Sequence, residues 1–338
     1  MKILVYGDAH WSQYSSIIRK NGEKYSLRLH NLIDSINFVE CTAEKNKCEA
    51  IVNLGDFFDK SELNAEEITA LHEVNWYEGA THFNIIGNHE MGRNDLSTSS
   101  CDLFNLMPSN FFVIYQPCIF SVKGCELAFL PYCLEENRNP IDFPVSTEPR
   151  RILFSHNDIK GIQMGQFISQ IGYTIEELES CCDICFNGHL HNGARISNKI
   201  INVGNLTGQN FSEDAFKYGH NVLIIDTDTL QIQSVTNPYA FNFYKIDYNN
   251  VDKNISLKSN AVVSIKCKNN QVDEVKEWLK KSNVIESRIT VEQDIVNVDS
   301  IVDVESFSID HIKQFNEYIL ANMENTEILL QELQEVSR

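Results

Sequence analysis

KILVYGDAH, residues 2–10, sets five strand-forming residues directly in front of a glycine and the pattern D-x-H. Short apolar, β-branched runs that end at glycine or a polar residue read as buried strands. The arrangement recurs. Ala50 to Leu54 (AIVNL) precedes Gly55-Asp56, His82 to Ile86 (HFNII) precedes Gly87-Asn88, and Arg151 to Phe154 (RILF) precedes Ser155-His156. Polar chemistry is thereby placed at strand C-terminal ends, where open α/β sheets hold their ligands.

Five short motifs follow in order: D-x-H (Asp8, His10), G-D-x-x-D (Asp56, Asp59), G-N-H-E (Asn88, His89), S-H-N (His156) and G-H-x-H (His189, His191). They use five of the ten histidines and no cysteine. Asp, Asn and neutral His are oxygen and nitrogen donors that suit Mn²⁺, Fe²⁺ or Zn²⁺ better than a calcium cage or a thiolate zinc site. Asp8, His10, Asp56, Asn88, His156, His189 and His191 are too many ligands for one tetrahedral ion. Two ions roughly 3.5–4 Å apart, sharing a bridging carboxylate, would use them all. A single D-x-H or G-D is ordinary turn chemistry, but five motifs in series are not. His30, His72, His82, His220 and His311 have no such context and are read as structural.

The series resembles the calcineurin-like metallophosphoesterases, whose pattern is D-x-H, G-D-x-x-D, G-N-H-[DE], H, G-H-x-H, over residues 1 to about 240. The resemblance implies one metal on Asp8, His10, Asp56 and His191, and a second on Asp56, Asn88, His156 and His189, with Asp56 as the bridge. It implies that His89 faces the phosphate and protonates the leaving oxygen, and that Asp59 orients a ligand histidine. Attack by hydroxide that two metals activate requires no protein nucleophile. Arg93, four residues after His89, is a candidate phosphate donor, with a solvated loop arginine as the equal alternative. Mn²⁺ is the first choice of cofactor, with Mg²⁺, Fe²⁺ and Zn²⁺ as alternatives.

Around the motifs, Tyr25 to Lys45 carries apolar residues at helical spacing (Leu29, Leu32, Ile33, Ile36, Phe38, Val39), the crossover of a β-α-β unit. Glu66 to Trp76 reads as the next helix. Phe111 to Pro131 reads as strands split at Lys123-Gly124, and Lys199 to Asn202 with Asn221 to Asp226 as the continuation of a second sheet. The expected fold is α/β in layers: a two-sheet β-sandwich flanked by helices, with a small C-terminal β-α-β cap and terminal helices. The cap is read from strand-like Ala261 to Cys267, an amphipathic Gln271 to Lys281, and strand-like Glu286 to Glu292. Domains are expected at 1–240 (metallophosphoesterase), 241–297 (cap) and 298–338, a helical tail with apolar stripes at Ile309, Ile312, Phe315 and Ile319, then Ile328, Leu329, Leu333 and Val336.

Composition narrows the setting. The 338 residues are 43% hydrophobic and 22% charged, ordinary for a soluble globular chain. The first strand begins at Lys2, leaving no room for a cleavable leader, and no apolar run reaches membrane-spanning length, so a cytoplasmic protein is expected (host-cell cytoplasm if phage-encoded). The ten cysteines sit in and beside apolar segments without regular spacing and are read as reduced; Cys182-x-x-Cys185 lacks the second pair of a zinc ribbon. A net charge of −19 opposes long-range attraction to nucleic acid. Two divalent ions over only two first-sphere carboxylates, Asp8 and Asp56, would still leave the pocket locally positive.

Within the superfamily the chain looks most like the SbcD-type DNA-repair nuclease subunits, including those of large phages. The features are the early Asp8, the segment His156-Asn157-Asp158-Ile159-Lys160-Gly161, and the cap followed by terminal helices. That resemblance implies DNA as substrate and an ABC-type coiled-coil ATPase (SbcC-like) as the partner of the terminal helices, with a homodimer left open and no membrane. The first alternative is a small-molecule phosphodiesterase or a protein phosphatase. Protein phosphatases place Arg before G-N-H-E and Arg-Gly after G-D-x-x-D, where this chain has Ile86 and Lys60-Ser61. A non-catalytic scaffold is the second.

Overall fold

The computed structural model describes residues 1–122, 124–164 and 167–292. In chain order it contains β1 (Lys2–Tyr6), α1 (Leu27–Asn46), β2 (Ala50–Asn53), α2 (Ala65–Ala70), β3 (Thr81–Ile85), β4 (Met91–Gly92), β5 (Asp95–Ser99) and β6 (Phe111–Ile114). Next come β7 (Cys118–Val122), β8 (Cys125–Leu130), β9 (Arg151–Ser155), β10 (Gln163–Met164), β11 (Phe167–Ile168), α3 (Ile175–Ser180), β12 (Ile184–Asn187), β13 (Ala194–Arg195) and β14 (Ile200–Asn202). The last described elements are β15 (Asn221–Asp226), β16 (Ile232–Thr236), β17 (Asn242–Asp247), β18 (Ala261–Lys268), α4 (Val272–Lys281) and β19 (Glu286–Glu292).

Two six-stranded mixed sheets form the sandwich, in the orders β16-β15-β1-β2-β3-β6 and β13-β14-β12-β9-β8-β7. The period-two alternation of side chains decides what each face buries. Ile3 and Val5 of β1, Val52 of β2 and Ile85 of β3 meet Leu127, Phe129, Ile152, Phe154 and Phe186 of the facing sheet. Leu4, Tyr6 and Ile51 point the other way, onto Leu29, Leu32, Ile36 and Val39 of α1. Each such Leu or Ile buried contributes about 2 kcal/mol. α1 starts where the Ser26 side chain accepts a hydrogen bond from the Leu29 amide at 3.1 Å and stops at Lys47, which turns left-handed (φ 54). On the far side, Leu178 of α3 packs over Leu153, Cys185 and Ile200. The helix-sheet-sheet-helix layering expected from the sequence is therefore the observed fold.

Several details differ from the sequence reading. Asn221–Asp226 does not extend the second sheet: β15 pairs antiparallel with β1. The parallel run β1-β2-β3-β6 leaves the outer edge of β1 open, and the chain crosses back to it after Leu206 donates to Gly7 O at 3.0 Å. Phe111–Ile114 likewise joins the first sheet, beside β3. The helix expected over Glu66 to Trp76 ends at Ala70 in a single tight turn, because Trp76 is drawn inward against Phe57, Phe104 and Phe111. Strand β12, ahead of the G-H-x-H motif, is not among the strands read from the sequence.

The segment after Tyr239 holds the expected strand, helix and strand, with one addition. β17 precedes them and makes a three-stranded parallel sheet β17-β18-β19. One face covers α4 through Ile246, Val263, Ile265, Val275 and Leu279. Phe243 and Val262 pack with Ile18 and Phe241, and Ala215 donates to Phe243 O at 3.0 Å, so Met1–Glu292 forms one unit. The expected tail helices and the acidic connection before them lie outside the described residues. No two of the ten cysteines are bonded to each other. Among the described residues no helix is long and apolar enough to cross a membrane.

Candidate metal centre

Strands β1, β2 and β3 of one sheet and β9 and β12 of the other end at the same edge of the sandwich, and the five motifs are the loops they release. The loops are stitched together by backbone: Asp8 donates to Gly55 O at 3.1 Å and His10 to Asp56 O at 2.9 Å. Asp8 (φ 52), His10 (φ 49), Asp56 (φ 50) and His189 (φ 72) all adopt left-handed backbone. Non-glycine residues there carry roughly 1 kcal/mol or more of strain each, held by the surrounding structure. Two glycines make room. A Cβ on Gly55 (φ 111) would lie 2.5 Å from His156 Nδ1, and one on Gly87 would lie 2.1 Å from Asp56 Oδ1.

The tertiary structure brings all seven sequence-derived ligands together. Ligand atoms of Asp8, His10 and His191 lie within 4.8 Å of one another, as do those of Asp56, His156 and His189. Asn88 Oδ1 joins the second group, 3.2 Å from His156 Nε2 and 2.9 Å from His189 Nδ1. Asp56 stands between the groups, its Oδ2 3.2 Å from His156 Nε2 and 3.9 Å from His10 Nε2. Asp8, Asp56, His10 and His156 form a buried floor, whereas the side chains of His189 and His191 are 14% and 26% exposed at the mouth.

The donor set fits a pair of divalent cations. His10 Nε2 is buried without a hydrogen-bond partner, an arrangement native proteins avoid unless something else satisfies the atom. Burial lowers the pKa of His10 despite Asp59 and Asp56, which favours the neutral imidazole a metal needs. Burial also opposes charge on His156, but the Asp56 carboxylate outweighs it and holds the imidazole up at about 9. Asp56 is correspondingly kept well below the carboxylate range: His156 overrides the penalty of burial.

Behind the ligands stands a set of anchoring partners. Asp59 Oδ1 is 3.0 Å from His10 Nδ1, and Leu54 O is 2.9 Å from His156 Nδ1. Asp158 Oδ1 lies 3.3 Å from His189 Nε2, and Glu213 Oε1 lies 3.3 Å from His191 Nδ1. Such contacts set tautomer and ring orientation. Of these side-chain anchors the motifs revealed only Asp59. Asp158 sits two residues beyond His156 and could have been suspected, whereas Glu213 lies 22 residues from His191 with no local signal. Glu90, the last letter of G-N-H-E, accepts from the Phe58 amide at 3.0 Å and the Gly87 amide at 2.8 Å, clamping two motif loops to each other. Burial, then the charge of Asp56, pushes its carboxyl up to about 7.

His89 stands at the rim, its side chain 42% exposed, with its ring edge-on to His10 at 4.6 Å. Its Nδ1 is 3.0 Å from Asp59 O. A carbonyl only accepts, so Nδ1 carries the hydrogen and Nε2 remains to exchange a proton. Arg93 is at the exposed tip of the β4–β5 hairpin, where it and Asn94 both have positive φ (57 and 58).

This chain is similar to a dimetal phosphatase from Danio rerio, at 14% identity and TM-score 0.41 over 70% of this chain and 99% of that one. It is also similar to Yfce, a phosphoesterase from E. coli, at 12% identity and TM-score 0.32 over 70% of this chain and 100% of that one. No curated protein matches it. The family described as calcineurin-like phosphoesterase matches residues 1–193, more than half of the chain and the whole of its five motifs: the chain belongs to that family and is a metal-binding phosphoesterase.

Proposed function

We propose that the chain is a metal-dependent phosphodiesterase acting on DNA, the nuclease subunit of an SbcCD-type repair and recombination complex in the cytoplasm. Mn²⁺ is the proposed cofactor, and an ABC-type coiled-coil ATPase the proposed partner of segment 298–338. Residues 1–240 would carry the chemistry and 241–297 would cap it.

The observation that carries DNA as the substrate is the segregation of charge. Residues 241–292 hold nine Lys and Arg against seven Asp and Glu, in a chain whose net charge is −19. Strand register aligns Lys245, Ser264 and Arg288 in one row and Asp247, Lys266 and Thr290 in the next, on the sheet face opposite α4. With Lys268, this face offers four exposed cations beside three acids, Asp247, Glu286 and Glu292; among the described residues, Lys266 is the one of the four tied to a carboxylate, Glu292 at 2.6 Å. In a strongly acidic protein, a sheet face on which cations outnumber acids, even by one, gives a phosphodiester backbone a place.

Asp8, His10, Asp56 and His191 would hold one ion and Asp56, Asn88, His156 and His189 the other. When bound, such ions acidify a water and neutralise charge on the phosphate. The remaining steps belong to the protein. Asp59 fixes His10, and its carbonyl holds the Nδ1–H of His89 so that the imidazolium, protonated at Nε2 as well, would deliver that second proton to the leaving oxygen and return to the neutral ring. Arg93, beside that loop, would meet a non-bridging phosphate oxygen as charge grows there.

The test is hydrolysis with Mn²⁺ of a 3′-labelled DNA duplex, bis-p-nitrophenyl phosphate and a phosphopeptide, by wild type and His189→Ala. DNA degradation that the variant loses supports the nuclease. Cleavage of the small diester or the phosphopeptide alone moves the function to a small-molecule phosphodiesterase or a protein phosphatase, and no cleavage by wild type moves it to a scaffold.

A further inference from the structure

A cleft of about 890 Å³ is lined by α1, by residues 75–79, which lead into β3, and by Pro238 and Tyr239. It lies toward the start of β3, whereas the candidate ligand Asn88 follows the end of that strand. The lining is pinned to the helix. The Asn75 amide donates to Asn37 Oδ1 at 2.8 Å, the Tyr77 amide to Glu40 Oε2 at 2.9 Å, and Asn31 Nδ2 to Tyr239 O at 2.5 Å.

The cleft is acidic. Asp34, Glu40, Glu44 and Glu78 line it against one cation, Lys45, and among the described residues Asp34, Glu44 and Glu78 make no ion pair. Phe38, Trp76, Tyr77 and Tyr239 add aromatic surface. Two buried atoms of this lining are unsatisfied. Glu40 is 2% exposed; its Oε2 accepts from the Tyr77 amide and lies 3.0 Å from His82 Nε2, but its Oε1 has no hydrogen-bond partner. Trp76 Nε1 has none either. Native proteins seldom leave such atoms unpaired, so one acceptor and one donor here match a ligand that supplies both counterparts.

We propose that this cleft docks an extended basic segment of a partner protein, with an Arg or Lys side chain on Glu40 and a peptide carbonyl on Trp76 Nε1. A guanidinium or ammonium donates and does not accept, which suits Glu40 Oε1, and its aliphatic stem packs on the aromatic rings. A polyamine would meet Glu40 but brings no acceptor for Trp76; a peptide brings both. Asp34, Asn37, Phe38, Cys41, Glu44 and Lys45 recur at helical spacing along the cleft. They span about 16 Å at about 1.5 Å per residue, the reach of about five residues of extended chain. Four carboxylates repel DNA phosphates, so this surface is separate from the one proposed for the substrate.

The test is fluorescence anisotropy of a labelled acetyl-Ala-Arg-Ala-Lys-Ala-amide peptide with the full chain at low salt, beside a peptide with Glu at both charged positions and with spermidine as competitor. Saturable binding of the basic peptide alone, weakened about tenfold or more by Glu40→Gln and by the paired Glu44→Lys and Glu78→Lys, supports the proposal. Glu44 and Glu78 are exposed, so their reversal reads the cleft even if Glu40→Gln does not fold, which far-ultraviolet circular dichroism decides. No binding, equal binding of the acidic peptide, or full affinity in the paired variant overturns it. Spermidine that displaces the peptide at equal concentration overturns the peptide as occupant and makes the cleft a site for small polycations.

Discussion

His10 and Asp59, 49 residues apart in the chain, meet side chain to side chain, Nδ1 to Oδ1, at 3.0 Å. The contact commits His10 to one tautomer and leaves its buried Nε2 without a protein partner, facing Asp56. Asp59→Ala should therefore weaken binding of Mn²⁺ by about 10–100-fold. Calorimetric titration checks this, and wild-type affinity in the variant would remove Asp59 from its anchoring role.

His89 occupies the rim, where its ligand atom groups with those of His10 and Asp59 rather than with the groups that contain Asp8 or Asp56. His89→Ala is expected to bind two Mn²⁺ as wild type does while turnover falls by about 10²–10⁴-fold. The loss should be smallest for an activated leaving group such as p-nitrophenolate, which needs no proton. Full activity against unactivated diesters would eliminate His89 as the proton donor.

Gly87 is required by proximity rather than by backbone conformation. The Cβ of Gly87→Ala would sit 2.1 Å from Asp56 Oδ1 and 2.5 Å from Asp56 N, so the shared carboxylate must move. Overpacking of this kind costs about 1–3 kcal/mol, and a tenfold or greater loss of Mn²⁺ affinity is expected. A variant that binds Mn²⁺ normally would show that the Asp56 loop yields without cost.

Away from the centre, Arg151 and Glu126 form a buried pair with Nη2 to Oε2 at 2.6 Å. Burial alone would raise the Glu126 carboxyl, but the Thr147 amide and Arg151 hold it below its usual value. A carboxyl depressed in the folded state stabilises above its unfolded pKa of about 4.3, and that contribution disappears as pH falls through the folded value. Urea unfolding followed from pH 7 down to pH 3 should show the decline, and Glu126→Gln should flatten it. Arg151→Ala, which strands a buried carboxylate, should cost about 3 kcal/mol at pH 7. A destabilisation under 1 kcal/mol would mean that water reaches Glu126.

The sequence by itself determined the set of candidate ligands, the four strands that launch most of it, and α1. These are local signals: a β-branched run ended by glycine, a polar motif within three residues, a helical stripe from Leu29 to Val39. Only the tertiary structure decided which sheet took Asn221–Asp226, because strand pairing is settled by which edge is left open rather than by composition. Only it joined Glu213 to His191 and Asp158 to His189. Hydrogen bonds behind a ligand obey no spacing along the chain; they depend on where packing of the two sheets and the Val203–Ala215 loop delivers a carboxylate. The residues that can touch a metal were legible in five motifs, whereas those that make each histidine a good ligand became visible only once the chain had folded around them.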